Sequence, residues 1–126
     1  MMRILLLLLS ALTLHPSCGA VLVDQMEKLR IVKTGEKVEL RCKQDDGTYY
    51  NMFWYQQKPE QGLKLMVHSI NMKSEDMEAD YKTRWSLHRP TVYESNLTLK
   101  ASAKEDGAMY FCAASIHSRR ALSPAW

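Results

Sequence analysis

Two cysteines 70 positions apart restrict this chain more than any other feature. Trp54 follows Cys42 by twelve residues, and Tyr110 precedes Cys112 by two. Each of these residues has a physical task. Cysteines so distant in sequence can bridge two sheets packed face to face, about 10 Å apart. A buried indole can pack on that bridge, and a tyrosine at the start of the returning strand can send its hydroxyl back to the backbone just upstream. The run Asp106-Gly107-Ala108-Met109-Tyr110-Phe111-Cys112 carries the second half of the arrangement, and the 58 positions between Trp54 and Cys112 leave room for five further strands.

The N-terminus indicates the compartment. Met1-Met2-Arg3 is a positive start, Ile4 to Leu9 are unbroken apolar residues, and Pro16 ends the stretch before Ser17-Cys18-Gly19-Ala20. Residues 1–20 read as a secretory signal peptide, too short to span a membrane, with cleavage after Ala20 or alternatively Gly19. Cys18 leaves with the leader. Cys42 and Cys112 remain, and one pair in an oxidising compartment implies one disulfide. No second run of 18 apolar residues follows, so the mature segment is not expected to enter a membrane by itself.

Between the cysteines the pattern is that of short strands separated by turns. Val38, Leu40 and Cys42 alternate with Glu39 and Arg41; Met52 and Trp54 with Phe53, Tyr55 and Gln57; Leu97 and Leu99 with Asn96, Thr98 and Lys100. Leu63, Leu65 and Val67 read as one face of a strand whose other face is Lys64, Met66 and His68. The acidic run Glu75-Asp76-Met77-Glu78-Ala79-Asp80 reads as a solvated loop. A sheet that covers a core on one side is expected to be polar on the other. Here Phe53, Tyr55, Leu63, Leu65 and Phe111 make the second face apolar, which is the mark of a face that another domain covers.

Other chemistry finds little support. The charge balance, 17 Lys and Arg against 14 Asp and Glu, provides no basic stripe for nucleic acid. His15, His68, His88 and His117 are scattered, without metal-ligand spacing to Cys or carboxylate. No phosphate-binding glycine loop or nucleophile elbow occurs. No catalytic residue, cofactor site or metal site is expected. Asn96-Leu97-Thr98 is an acceptor for N-glycosylation in a secreted chain.

Trp54-Tyr55-Gln56-Gln57, Gly62-Leu63-Lys64-Leu65-Met66 and the run ending in Cys112 resemble an immunoglobulin variable domain. Arg84-Trp85-Ser86-Leu87-His88-Arg89-Pro90 is similar to the Arg-Phe-Ser-x-x-Arg-Pro of T-cell receptor β variable segments, and Cys112-Ala113-Ala114-Ser115 to the Cys-Ala-Ser-Ser that ends them. The resemblance covers residues 21–115. It implies an all-β, V-type two-sheet antiparallel sandwich, with extra strands C′ and C″ between Leu63 and Ser74. It implies that Tyr55, Gln57, Leu63, Leu65 and Phe111 line the interface with an α-chain variable domain, Gln57 through a reciprocal amide pair. Arg84 and Asp106 resemble the ion pair at the base of such domains, and Trp54 and Tyr110 are core residues. Antigen-binding loops would comprise Asp46, Gly47, Thr48, Tyr49, Tyr50 and Asn51; then Ser69, Ile70, Asn71, Met72, Lys73 and Ser74; then Ala113, Ala114 and Ser115 onward. Tyrosines suit such loops because they offer large contact area at low entropic cost.

The chain departs from the pattern in two places. Trp85 stands where Phe is usual, so the core must accommodate extra volume. Nothing after Ser115 resembles the Phe-Gly-x-Gly joining segment that forms strand G. Its absence is expected to leave the edge of strand F unpaired, with residues 116–126 as an unstructured tail. The resemblance implies an α-chain partner, recognition of peptide on MHC, and residence on the extracellular face of the plasma membrane within a receptor. The alternative is a stand-alone immunoglobulin-like innate or adhesion receptor domain, or an antibody light-chain-like segment.

Overall fold

A computed structural model describes residues 3–8, 22–25 and 29–116, with the backbone course alone for 3–8 and 29–31. The expected cleavage site, Cys18 and residues 117–126 lie outside the described residues. The strands are β1 (Arg3–Leu8), β2 (Val23–Gln25), β3 (Leu29–Lys33), β4 (Val38–Gln44), β5 (Asn51–Gln57), β6 (Lys64–Ile70), β7 (Ser74–Met77), β8 (Trp85–Thr91), β9 (Glu94–Leu99) and β10 (Met109–Ser115). Two single 3₁₀ turns, Ala79–Tyr81 and Lys104–Asp106, are the only helical elements among the described residues. One sheet has the order β2-β4-β9-β8, the other β3-β1-β10-β5-β6-β7. All pairings are antiparallel except a short parallel contact of β1 with β10.

Alternation builds the sandwich. In β4 the residues at 38, 40, 42 and 44 face inward while 39, 41 and 43 face water, and in β9 Leu97 and Leu99 are fully buried. A period of two puts one face of each strand on the core. Cys42 and Cys112 form the disulfide that joins the sheets. Trp54 is fully buried in the same cluster, and its indole N–H donates to Ser95 Oγ at 3.0 Å. The Tyr110 hydroxyl donates to Asp106 O at 2.7 Å, closing the corner before β10. Burial raises the Tyr110 pKa well above that of an ordinary phenol. Trp85 is buried against Tyr110, ring centroids 5.4 Å apart, so the larger ring is taken into the core.

The structure corrects three expectations. First, Leu65 and Val67 do not share a face. Tyr55 pairs with Leu65 while Trp54 pairs with Val67, and Met66 between them is extra. This β-bulge turns Met66 and Val67 both inward and leaves Leu65 and His68 on the outer face. Second, the acidic run is not simply a loop. Residues 74–77 are β7, the C″ strand, so that strand starts at Ser74 rather than ending there, and Ala79–Tyr81 is a 3₁₀ turn. Glu75 and Asp76 stay exposed because β7 is an edge strand of its sheet.

Third, the edge of β10 is not bare. Leu7 and Leu8 of β1 lie opposite Met109 and Tyr110, but they belong to the expected leader and leave with it. Beyond them the buried amide of Gln25 takes over: its Nε2 donates to Tyr110 O at 3.0 Å and its Oε1 accepts from Cys112 N at 3.1 Å. Backbone groups buried without partners carry a desolvation penalty, and here a side chain supplies what a strand would.

Candidate functional site

Strands β10, β5 and β6 present the apolar outer face. Their register sets Phe111, Tyr55 and Leu65 side by side in one row. All three are half-buried, and burial raises the Tyr55 phenol pKa. The adjacent row is Ala113, Phe53 and His68, in which Phe53 and His68 stack face to face at 4.6 Å. On the other side Gln57 lies opposite Met109, and Leu63, just before β6, is 56% exposed. Gln57 Nε2 donates to Gln61 O within its own turn at 3.0 Å, which leaves its second N–H and its Oε1 for a pair with an outside amide. Tyr55, Leu65 and Phe111 thus share one row of the outer face despite the bulge, with Gln57 two positions along β5 and Leu63 exposed just before β6.

At one end of the strands the loops gather. In the first, Asp46 Oδ1 accepts from Thr48 N and Thr48 Oγ1 at 2.9 and 2.7 Å, and Tyr49 N donates to Asp46 O. The hydrogen bonds from Thr48 hold the Asp46 carboxyl below its usual range. Gly47 lies under Tyr93, where a Cβ would come within 2.9 Å of the phenol oxygen. Tyr50 is well exposed. The second loop proper is shorter than the sequence indicates: Asn71, Met72 and Lys73 form the turn, Asn71 in left-handed conformation with its N–H on Tyr50 O at 2.7 Å. Ile70 and Met72 are exposed, at 40% and 60%.

Two residues assigned to these loops serve inside instead. Ser69 is buried at the end of β6, and its Oγ accepts from Arg89. Asn51 is buried at the start of β5. Its Oδ1 meets His68 Nε2 at 2.8 Å, and its amide donates to Ile116 O at 3.2 Å, tying the second loop's strand to the start of the third loop. Burial lowers the His68 pKa and so favours the neutral ring, which stacks on the phenyl face of Phe53. Ala113, Ala114 and Ser115 end β10 beside them, half-buried.

At the opposite end Arg84 and Asp106 meet in a two-pronged pair, Nη1 to Oδ1 at 2.9 Å and Nη2 to Oδ2 at 2.5 Å. Asp106 is almost wholly buried and also accepts from Ala103 N at 2.8 Å, while the Arg84 side chain is 39% exposed. The hydrogen bond to Asp106 raises the Arg84 pKa. Beside it, Tyr81 Oη donates to Gln56 Oε1, and Gln56 Nε2 donates to Tyr110 Oη. Among the described residues no cluster of His, Cys, Asp or Glu is placed to hold a metal ion.

This frame matches known proteins. A family model described as Immunoglobulin V-set domain matches residues 25–123. Human T cell receptor beta variable 6-6 is 36% identical over 93 residues, 74% of this chain and 80% of that one. Human T cell receptor beta variable 28 is 35% identical over 96 residues, 76% and 82% of the two chains. The chain belongs to the immunoglobulin V-set family, with the T cell receptor beta variable segments. This V-set domain is also similar, with TM-score 0.68 and 28% identity over 75% of its length and 81% of the other, to a chain solved in work on the "Structural basis of T cell specificity and activation by the bacterial superantigen toxic shock syndrome toxin-1".

Reading the V-set domain from sequence missed its buried polar struts. Gln25, Gln44 and Arg89 are buried and hydrogen-bonded to backbone. Two of them sit at inward positions of β2 and β4, where the alternation asks for an apolar residue. A polar residue on the inward phase of a strand is the one trace of such a strut in the sequence.

Proposed function

We propose that this domain is the variable domain of a T cell receptor beta chain. It pairs with an alpha-chain variable domain and, with it, recognises peptide presented by MHC, as part of a receptor on the extracellular face of the plasma membrane. The observation that carries the reading is the row Phe111–Tyr55–Leu65 on the outer face of β10, β5 and β6. Apolar side chains on a water-facing sheet gain free energy when a partner covers them. The similarity to beta variable segments supports an alpha-chain partner. The exposed Tyr50, Ile70 and Met72 lie at one end of that face, where a paired domain leaves them free. The chemistry is binding, not catalysis.

A joined beta chain carrying Leu63→Asp and Leu65→Asp is expected to lose surface display with its alpha chain, because a carboxylate buried at the interface lacks a partner. Normal display of the heterodimer would end the pairing assignment. One observation favours the stand-alone receptor reading: the Gln25 amide already holds Tyr110 O and Cys112 N on the β10 edge without a joining segment. Display that is normal without any alpha chain would support it.

Asn96 lies half-buried on β9, on the outer face of its sheet between Arg41 and His88. If residues 1–20 direct secretion and Asn96 carries a glycan, the secreted domain is expected to lose the mass of one glycan on glycosidase treatment, and the Asn96→Gln variant to show no shift.

A further inference from the structure

Arg89 is a buried cation whose polar contacts are all neutral oxygens. Its Nη1 donates to Tyr50 O at 2.7 Å, Ser69 O at 3.1 Å and Ser69 Oγ at 3.0 Å; its Nη2 donates to Val92 O at 2.8 Å and Tyr49 O at 3.4 Å. These acceptors come from three separate segments: the first loop, the end of β6 where the second loop begins, and the turn between β8 and β9. Gln44 reinforces the link, donating to Tyr49 O and Val92 O at 3.2 and 2.9 Å. The second loop closes the circle, since Asn71 N donates to the same Tyr50 carbonyl that Arg89 holds.

We infer that Arg89 is a positioning residue for recognition: its planar fork locks the first loop, the second loop and the β8–β9 turn into one arrangement before any ligand arrives. A guanidinium has five donors in fixed directions, which suits several carbonyls converging from one side. A lysine ammonium on the same stem reaches fewer of them. Burial lowers the Arg89 pKa to about 10, so the group stays charged at physiological pH and its hydrogen bonds stay charge-assisted. Arg89 is only 8% exposed and adds little to the outer surface, so its effect on binding passes through the loops. Loops that spend less time in the competent arrangement bind with an affinity reduced by that fraction.

The inference rests on the function proposed above, and its test separates the two. Joined heterodimers with Arg89, Arg89→Lys and Arg89→Met are compared by amide hydrogen exchange and by binding to a peptide–MHC tetramer selected on the unaltered receptor. In Arg89→Met, exchange at Asn71 N and Tyr49 N is expected to accelerate about tenfold or more, while Lys100 N and Ser102 N at the far end stay unchanged. The tetramer's association rate is expected to fall about tenfold with a smaller change in dissociation, and Arg89→Lys to lie between the two. Unchanged loop amides would overturn the inference. So would equal acceleration at both ends, which marks a purely structural residue. If no tetramer can be selected because the unaltered receptor binds no peptide–MHC, the function fails, and the recognition role of Arg89 fails with it whatever the amides do.

Discussion

Replacing Cys42 and Cys112 together by alanine is expected to lower the unfolding free energy by about 4 kcal/mol, from the loop-closure entropy of so long a loop. The bridge spans 70 positions and sits in the fully buried cluster with Trp54, Leu40 and Leu97. A domain of this size holds only about 5–15 kcal/mol in total, so the change removes a large share of it. Two smaller side chains in a close-packed region also leave a void, which adds to the loss. Guanidinium titration of the secreted domain and the double variant measures the effect. A loss of unfolding free energy under about 1 kcal/mol would mean that the packed sheets hold together without the bridge, contrary to the loop-entropy argument.

The second large effect is asymmetric. Arg84→Met is expected to destabilise by about 3 kcal/mol, and Asp106→Asn by only about 1 kcal/mol. The difference lies in what each change leaves behind. Removing the guanidinium strands an almost wholly buried carboxylate with the Ala103 amide as its remaining partner. Removing the carboxylate's charge leaves Arg84, 39% exposed, in reach of water and of Ala101 O at 3.1 Å. Denaturant midpoints of the two single variants and the double variant give the coupling directly. Equal midpoints for the two single variants would show that Asp106 is not stranded when Arg84 goes.

Strands whose outer face is polar were legible as written. Glu39 and Arg41 in β4, and Asn96 and Thr98 in β9, set the phase of the alternation, and the buried partners follow. In β6 the phase is absent from the sequence, because Leu65, Met66 and Val67 are all apolar and a bulge within them changes no residue type. β7 was hidden for the opposite reason. An edge strand with Ser74, Glu75 and Asp76 exposed has the composition of a loop. The residues of the apolar face were found because large side chains out of phase are conspicuous. Arg89 was visible only as part of a motif. Its role depends on carbonyls from three distant segments, and carbonyls have no letter in a sequence.

The half-closed edge of β10 has a bearing on how such a chain behaves while alone. With residues 1–20 removed as the expected leader, among the described residues only the Gln25 amide occupies that edge, at Tyr110 O and Cys112 N, and the rest of it is open to exchange between two copies in concentrated solution. Beside that edge, self-association has the greasy row of Phe111, Tyr55 and Leu65 to use. Such contacts are reversible and side-chain-mediated, unlike the ladder growth that an open strand invites. A solitary chain of this design is sticky on its flank and keeps part of a strand edge open until a joining strand covers it.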